Sequence, residues 1–531
     1  MRIATALPVI CCCLSASSAQ KLDLGVVDTI GGTTYDWQVS GPALRTLVTS
    51  PGHGIYAVWM YSSDMSGTTF PDRNMRCNFY DNDSGAWNWI EADFMQSGVN
   101  AFDKRAGYGN VDADPTTGNA IVSGHVQGNG GVVPRVARDA APGAGIFEFA
   151  DGEPVLGACQ WPPISVGQDG TIHIFPITPA YDLLYSHLAP GDSNFSNPVT
   201  FYPSPGFPTH NIAASKVSNK VCLVWEISTS TPEDAYLSRS TDGGTTWESP
   251  LPLDPPDAFG GDTLASYNVT SLFPFYDKQD RLHVVADVHA CINGIIYLAP
   301  SEIWHWCPDN SPQWARIHRA GAFNPLDSNP TYACRPSIGE DQGGGLYVAW
   351  EQFDSSNIEP GPPRHARADI FYAQDNGDNG TSWQSGVRIT EQGTWSCRFP
   401  SAIDYFEDDT FRVLYIIDQR AGFFVQGEGP GTLNPVVVHK VPVTPSSVAG
   451  REEIAVGFRL MTTVVRGDLV LPESPCPRVR KSLSLLDISG RKVLGLHPGE
   501  NDVSRLPPGL YFVTVYGSRY TVSARKVMIV R

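Results

Sequence analysis

The sequence predicts an all-β protein built from repeated antiparallel sheets of four short strands. Its 531 residues include 51 glycines and 43 prolines, which favour turns and short strands over long helices. Aromatic residues make up 11% of the chain and suit pleated surfaces. Apolar runs with the period of a strand recur along the chain, and most follow a turn that contains Gly, Asp or Asn.

Seven apolar runs define the repeat, and the start of one lies about 50 to 66 residues from the start of the next. They read GIYAVW (54–59), NAIVSG (119–124), TIHIFP (171–176), KVCLVWE (220–226), RLHVVAD (281–287), GLYVAWE (345–351) and FRVLYII (411–417). Such sheets cannot bury their apolar faces alone, and a radial arrangement packs each one against its neighbour. We therefore predict a seven-bladed β-propeller over residues 20–445. Six blades are the alternative, if the weak repeat at 108–150 is not a blade.

The first 19 residues have the pattern of a secretory signal peptide. Arg2 supplies the basic start, residues 3–14 are apolar, and Ser17-Ser18-Ala19 provide small side chains for cleavage. The apolar run is too short to span a bilayer and no later run is longer, so we expect an exported chain without a membrane span. The formal net charge of −18 argues against nucleic acid as a partner.

Three of the eleven cysteines belong to the predicted signal peptide. The other eight permit disulfides, but their spacing does not fix a pairing. They show no CxxC or CxxH spacing, so we expect no structural zinc site. We also expect no cofactor. Acidic groups near the propeller axis are compatible with calcium, although no linear calcium loop is present.

Residues 240–247, STDGGTTW, form the most distinctive short motif. An Asp side chain closes a tight turn by accepting backbone hydrogen bonds, adjacent glycines permit positive φ, and the Trp fills space between strands. NGDNGTSW at 376–383 repeats the spacing with Asn376 in place of the serine. We expect a structural role for Ser240, Asp242, Gly244, Trp247, Asp378, Gly380 and Trp383.

With these two turns in register with the repeat, residues 40–445 resemble the sialidase-like propellers that carry the S-x-D-x-G-x-x-W (Asp-box) repeat. PSIGEDQGGGLYVAWEQ, followed by DIFYAQDNGDNGTSW, is similar to a typical blade of this group. Sialidases hold a sugar carboxylate with three arginines and use an Asp acid/base with a Tyr–Glu nucleophile pair. Arg45, Arg335 and Arg398 occupy repeat positions at which such an arginine triad can form, but no Tyr–Glu pair matches by motif.

The meander topology predicts the face on which a binding site lies. The acidic turns share one face with the turns between first and second strands. The opposite face collects the starts of first strands, the ends of second strands, and long loops at 252–267, 287–302, 320–333 and 352–368. The candidate ligand-binding residues on that face are Arg45, Trp161, His210, Asn268, Arg335, Arg398, Glu226, Asp287, Glu351 and Asp418.

The end of the chain differs in charge from the rest. Residues 476–531 contain 10 Lys and Arg against 3 Asp and Glu, whereas residues 1–475 contain 27 against 52. We predict a linker at 446–457 and a small β-sandwich at 458–531, which resembles the type A sorting domain of type IX secretion substrates. The residues that carry the resemblance are Asp487, Gly490, Arg491, Lys492, Gly499, Asn501, Asp502, Gly509 and Tyr511. It implies export by the type IX machinery to the outer surface or medium of a Gram-negative-type bacterium.

These features predict a secreted or cell-surface propeller that recognises a glycan or another extracellular polymer on its long-loop face. An exo-acting, sialidase-like glycoside hydrolase that uses the same face is the alternative. A structural or adhesion protein without a small ligand is the second alternative. A pair of carboxylates that opens to the central pocket would favour hydrolysis, whereas carboxylates bonded to backbone or arginine would disfavour it.

Overall fold

The computed structural model describes residues 24–40, 43–128, 130–201, 209–227, 234–256, 265–292, 295–321, 332–360, 364–443, 464–471, 482–487, 491–497, 499–516 and 521–530. The predicted signal peptide at 1–19 and the predicted linker at 446–457 lie outside these ranges. The chain divides into two compact units, unit 1 (Met1–Val448) and unit 2 (Ala449–Arg531).

The described part of unit 1 forms seven antiparallel sheets, which we number in chain order. The strands of sheet 1 are Leu47–Ser50, Gly54–Tyr61, Asn74–Asp81 and Ala86–Trp87, with Val99–Asn100 beside the third. Those of sheet 2 are Ala106–Gly107 and Val111–Ala113, which both pair with Ala120–Gly128, then Gly131–Asp139 and Phe147–Asp151. Those of sheet 3 are Ile164–Val166, Ile172–Ile174, Leu183–Leu188 and Val199–Phe201.

The other four sheets repeat the same order. The strands of sheet 4 are His210–Ala214, Val221–Ile227, Asp234–Ser240 and Leu251–Pro252. Those of sheet 5 are Ala265–Tyr276, Leu282–Ile292, Ile295–Trp306 and Trp314–Arg319. Those of sheet 6 are Ala333–Glu340, Leu346–Ile358, Ala366–Gln374 and Val387–Arg388. Those of sheet 7 are Ser396–Ala402, Thr410–Asp418, Asn434–Pro442 and, from the start of the chain, Val26–Thr33.

Helical structure is scarce in the described residues. The helices are the 3-10 turns Phe94–Gln96 and Phe424–Gln426 and the α-helical turn Glu153–Leu156. None of these is long and apolar enough to cross a bilayer. The chain is therefore all-β, as its composition and patterning predict.

Hydrogen bonds join the first strand of each sheet, or a residue beside it, to that of the next, and together they form a closed cycle. The bonds run from Val111 to Arg45, Asn110 to Ile164, Ala214 to Ser165, Asn211 to Leu272, Lys278 to Glu340, Ala402 to Ser337 and Thr46 to Ser401. Sheets arranged in this cyclic order form a β-propeller, the fold class that the repeat predicts.

The core of unit 1 lies between neighbouring sheets. First and second strands both contribute to it, and Ala333–Glu340 and Gly54–Tyr61 are each buried along their whole length. The tryptophans of the repeated runs, Trp59, Trp225 and Trp350, are each less than 2% exposed. A strand covered on both faces shows a continuous apolar run rather than an alternating one, which is the pattern of the repeat.

Two predicted loops are largely strand. The sequence analysis places a long loop at 287–302, but most of these residues extend the second and third strands of sheet 5 as a long hairpin. The run is rich in β-branched and aromatic residues, which favour strands. At 352–368, the strands Leu346–Ile358 and Ala366–Gln374 of sheet 6 leave residues 359–365 between them.

The first acidic turn is closed by its own side chains. The Ser240 hydroxyl accepts from the Gly244 N–H at 2.8 Å, and Asp242 accepts from the Thr246 N–H at 2.8 Å. The Trp247 indole donates to the Gly244 carbonyl at 3.1 Å. Gly244 has a φ of +83°, and a Cβ there would lie 1.7 Å from the Tyr185 hydroxyl, so only glycine fits.

The second acidic turn, at 376–383, is closed by a different set of side chains. Asp378 accepts from the Ser382 N–H at 3.1 Å, and the Trp383 indole donates to the Gly380 carbonyl at 3.0 Å. The Gly380 N–H donates to Asp375, which takes the part that Ser240 plays in the first turn. The carboxylate one position before Asn376 therefore replaces the missing serine.

Unit 2 contains a five-stranded sheet and a two-stranded one. The order in the larger sheet is Val464–Val465, Thr521–Ile529, Gly509–Tyr516, Ser482–Leu486, Lys492–Leu496, and Asp468–Leu471 pairs with Gly499–Asp502. Their described core includes Leu469, Leu485, Val513 and Val527.

The described sorting residues lie mostly in strands of unit 2, and Asp487 and Arg491 flank the connection between two of these strands. Arg491 forms an ion pair with Asp487 at 3.2 Å. The buried Asn501 closes the turn before it by accepting from the His497 N–H at 2.9 Å, and Tyr511 donates to the Pro507 carbonyl at 2.8 Å. Gly490 lies outside the described residues, and the export role of the set stays a prediction.

The N-terminal strand offers a test of the closed cycle. Ile30 is fully buried, whereas Val26 in the same strand is 61% exposed. We predict that Ile30→Ala lowers the free energy of unfolding by about 3 kcal/mol, because it leaves a cavity between sheets. Val26→Ala changes it by less than about 0.5 kcal/mol. Urea titration followed by tryptophan fluorescence measures both, and equal effects would show that the strand is not docked in sheet 7.

Candidate functional site

Unit 1 has two faces. We call upper the face on which the first strands begin and the second strands end, and lower the face of the turns between them. The Gly243 N–H donates to the Asn219 carbonyl, which belongs to the first-to-second turn of sheet 4. The acidic turns therefore lie on the lower face. Arg335 and Arg398, at the starts of first strands, lie on the upper one.

Glu351 is the centre of a buried charge cluster on the upper side. Its Oε1 accepts from Arg335 and lies 3.2 Å from Nη2 of Arg398, and its Oε2 accepts the Phe399 N–H at 2.7 Å. Burial would raise the pKa of Glu351, but the charges of Arg398 and Arg335 outweigh it and lower the pKa to about 2. Glu351 is therefore an anion held by two guanidinium groups and is not a proton donor.

Backbone strain accompanies this cluster. Arg335 has a φ of +53° and Phe399 a φ of +57°, and the strand register shifts at both positions. Trp161 has a φ of +47°, and all three residues precede a proline, which normally restricts a residue to extended backbone. Such conformations persist only where the surroundings enforce them, and they are concentrated at functional sites.

Asp36 and Asp418 are a pair of buried acids, and the charge of Arg398 acts on both. Burial raises the pKa of Asp36 to about 6, against hydrogen bonds from the Val425 and Phe424 N–H groups. Burial and then the charge of Asp36 raise the pKa of Asp418 well above its ordinary value. Both side chains are only 2% exposed. They are buried acids beneath the turn at 424–426 and do not open to solvent as a hydrolytic pair.

A different cluster brings Trp161 and His210 together with groups that the sequence analysis did not single out. His210 Nε2 lies 2.9 Å from the Trp161 carbonyl, to which it donates, and the Trp161 N–H donates to Nδ1 of His125 at 3.3 Å. Nε2 of His125 lies 3.4 Å from Nη2 of Arg73. Burial, and then the charges of Arg73 and Arg105, lower the pKa of His125 to about 3, so this histidine is neutral.

Two tyrosines flank the Arg73 guanidinium. Its carbon lies 5.5 Å from the centre of the Tyr35 ring and 5.1 Å from that of Tyr108, and the two hydroxyl oxygens are 2.5 Å apart. Burial, and then Tyr35, raise the pKa of Tyr108. Tyr35 and His125 are buried, whereas Tyr108, Trp161 and Arg105 are partly exposed. We call Tyr35, Arg73, Arg105, Tyr108, His125 and Trp161 the upper aromatic–arginine cluster.

Arg45 makes different contacts from those of Arg335 and Arg398. Its guanidinium donates to the carbonyls of Ala402 and Ile338, each at 3.1 Å, and lies 4.9 Å from the centre of the Phe273 ring. In this arrangement it braces sheets 5, 6 and 7 along the axis. A ligand-binding arginine triad that includes Arg45 stays a prediction.

Among the remaining candidates, Asp287 belongs with the Glu351 cluster, because, against burial, the charges of Glu351 and then Asp287 raise the pKa of Arg335. Glu226 and Asp287 are buried at 3% and 1% exposure, in the second strands of sheets 4 and 5. Asn268 lies in the strand Ala265–Tyr276, but its side chain is outside the described residues. Their roles in ligand binding stay predictions.

The lower face carries an open recess of about 1250 Å³, a volume that includes solvent at its mouth. Its lining includes Asp112, Lys216, Asp408 and Arg412. Lys216 pairs with Asp112 at 2.8 Å and Arg412 with Asp408 at 2.6 Å, so these charges are compensated within the protein. The size of the recess favours a binding site on this face. These four charged side chains, however, already have partners within the protein.

The described cysteines and potential metal ligands do not form a further site. Six described cysteines are buried thiols outside any disulfide: Cys77, Cys159, Cys222, Cys307, Cys334 and Cys397. Within the described ranges, no three His, Cys, Asp or Glu side chains form a group suited to a metal ion.

The Glu351 cluster makes a testable prediction. We expect Glu351→Gln to lower the free energy of unfolding by about 3 kcal/mol at pH 7, because it leaves buried arginines without their anion. The pKa of Glu351 falls from an ordinary 4.5 to about 2, so its contribution is present above 4.5 and is lost as pH falls toward 2. The gap between wild type and variant should therefore shrink over that window in urea titrations.

The matched control for Glu351→Gln is Glu248→Gln. It removes an ion pair with Arg239, and the side chain of Glu248 is 50% exposed. We expect it to change stability by less than about 1 kcal/mol at every pH. A Glu351→Gln variant as stable as this control would contradict the buried charge cluster.

No family model matches the chain, and no curated protein matches it. Among solved structures it is similar to a polysaccharide lyase, an ulvan lyase, at 11% identity and a TM-score of 0.48, over 79% of this chain and 96% of the lyase. A lectin from Burkholderia pseudomallei matches at 12% identity and a TM-score of 0.43, over 73% and 98%. A Hadza microbial sialidase matches at 11% and 0.37, over 70% and 73%. These similarities are too distant to assign a ligand or an activity to this chain.

Proposed function

We propose that the chain is an exported propeller of seven blades that binds a glycan or another extracellular polymer on the upper face of unit 1. Each of the seven sheets is one blade, and Val26–Thr33 completes the seventh. Unit 2 is a small β-sandwich that serves as a sorting module. The closed cycle of hydrogen bonds between first strands supports the blade assignment.

The observation that carries this proposal is the pair of partly exposed aromatic residues, Trp161 and Tyr108, held in left-handed backbone at the upper face. Their φ angles are +47° and +53°. The Trp161 N–H and carbonyl are both hydrogen-bonded to buried histidines, which hold the backbone that carries the indole. Rigid aromatic platforms bind at low entropic cost, and strained residues at a surface are typical of ligand clamps.

The carboxylates of the upper face favour binding over hydrolysis. A glycosidase needs one protonated acid and one open carboxylate on either side of the scissile bond. Glu351 is neutralised by Arg335 and Arg398, and both oxygens of Asp36 accept backbone N–H groups. Because these acids are bonded to arginine side chains or to backbone N–H groups of the protein, hydrolysis is the second candidate function.

Trp161→Ala tests the binding proposal. We expect it to weaken binding of whichever polymer a glycan array identifies by about tenfold or more, because it removes the apolar ring surface on which a sugar packs. Trp247→Phe, on the lower face, should keep wild-type affinity in the same calorimetric titration. Equal affinity for the Trp161 variant, with an unchanged melting temperature, would remove the upper face as the site.

The hydrolase alternative makes the opposite prediction. Incubation of wild type with sialosides and with the polymers that it binds should release no reducing sugar above a protein-free blank. Release that is abolished by Asp418→Asn, in a variant that still folds, would establish hydrolysis on this face and would refute a purely binding role.

We further propose that unit 2 directs export by type IX secretion, to the outer surface or medium of a Gram-negative-type bacterium. The support is the resemblance of its turns around Asp487, Arg491 and Asn501 to the type A sorting pattern. In a bacterium that carries this machinery, we expect the full chain at the surface and a chain that ends at residue 457 in the periplasm. Fractionation and immunoblotting distinguish the two. Surface delivery of the shortened chain would contradict the proposal.

A further inference from the structure

We propose that the upper aromatic–arginine cluster contains an oxyanion site, formed by Arg73, Arg105 and Tyr108 beside His125, and that the polymer bound there is an acidic glycan. The group recognised is a carboxylate or sulfate on a sugar. This inference deepens the proposed function and rests on it.

The first argument is an uncompensated buried charge. Five arginines are buried among the described residues, and four of them, Arg135, Arg335, Arg367 and Arg398, contact a carboxylate. Arg73 is 7% exposed and has no ion pair within the part of the chain that the structure describes. A buried cation is costly unless an anion accompanies it, so an external anion is the missing partner.

Arg105 adds a second positive charge that is likewise without a carboxylate partner in the described ranges. Burial, and then the charge of Arg73, lower the pKa of Arg105, as expected for two cations in one cluster. Arg105 donates instead to the carbonyls of Phe70 and Thr69, each at 3.0 Å. Two neighbouring cations with only neutral partners are the arrangement that an oxyanion stabilises.

The hydrogen bonds of His125 point to the same conclusion. A neutral imidazole has one lone pair and one N–H. The Trp161 N–H donates to Nδ1, and Nη2 of Arg73 lies 3.4 Å from Nε2, so two donors face a ring that has a single lone pair. That nitrogen of Arg73 retains an N–H for a further acceptor, and an oxyanion supplies one.

The residues of the cluster differ in their exposure to solvent. Arg73 and His125 are buried, while Arg105 and Tyr108 are partly exposed and connect them to solvent. The Tyr35 and Tyr108 hydroxyls are 2.5 Å apart, and Nη1 of Arg73 donates to Tyr35 at 3.3 Å, so one tyrosine donates to the other and the remaining O–H has no acceptor among the described residues. Phe70 has a φ of +46° and packs edge-on against Tyr35, so the loop that carries the Arg105 acceptors is held rigidly.

The experiment uses the full chain and two matched pairs of polymers. Polygalacturonate is compared with its methyl ester, which removes the carboxylate charge, and dextran sulfate with dextran, which lacks the sulfate. Isothermal titration calorimetry measures each affinity at low and at physiological salt. We expect the charged member of a pair to bind at least tenfold more tightly, and its affinity to fall as salt screens the contact. The pair that shows the difference distinguishes carboxylate from sulfate.

Arg105→Gln is the main variant, because Arg105 is partly exposed and its loss should leave the fold intact. We expect it to weaken binding of the charged polymer about tenfold or more, since charge-assisted hydrogen bonds are the stronger ones. Tyr108→Phe should weaken it by a smaller factor. The control is Arg420→Gln, on the same face, whose side chain is 49% exposed and paired with Glu359. This control should keep wild-type affinity.

Two outcomes separate the inference from the proposed function. Equal binding of a charged polymer and its neutral partner, or identical affinities for Arg105→Gln and Arg420→Gln, would overturn the oxyanion site and leave glycan binding intact. Failure of wild type to bind any polymer, on the array or in these titrations, would contradict both.

Discussion

The contact between neighbouring first strands is the constraint on which the rest of unit 1 depends. A four-stranded meander leaves two apolar faces uncovered, so each sheet needs a neighbour on both sides. The bonds from Ala402 to Ser337 and from Thr46 to Ser401 carry the last sheet onto the first, and Val26–Thr33 ties the chain start into the last sheet. This cycle determines which strand ends share a face. It also brings together residues that are far apart in the sequence, such as Asp36 and Phe424.

Charge distinguishes the two clusters that the cycle assembles on the upper face. Glu351 compensates Arg335 and Arg398 within the protein, and this self-contained cluster serves mainly to fix the bulged starts of two blades. Arg73 has tyrosine rings and a neutral histidine around it in place of a carboxylate. The physical difference between a structural brace and a ligand site is therefore whether the counterion comes from the chain itself.

The sequence is sufficient for the all-β class, the repeat and the acidic turns, because each rests on local signals. The strand at 26–33 carries a weak signal, VVDTIGGT, and its partner lies about 400 residues away, so no local pattern reveals it. Arg73, Tyr108 and His125 belong to the two most irregular blades. They were missed because the cluster depends on contacts between blades and on a positive φ at Tyr108, and neither is visible in a repeat alignment.

The ligand-binding site proposed for this protein lies on the upper face of unit 1. Hydrogen–deuterium exchange of the full chain, with and without the polymer that it binds, tests this placement most directly. The account predicts slower exchange in peptides that cover 69–73, 105–110 and 158–162, and unchanged exchange in the lower-face turns at 215–220 and 404–409. Protection confined to those lower turns, which border the open recess, would contradict it.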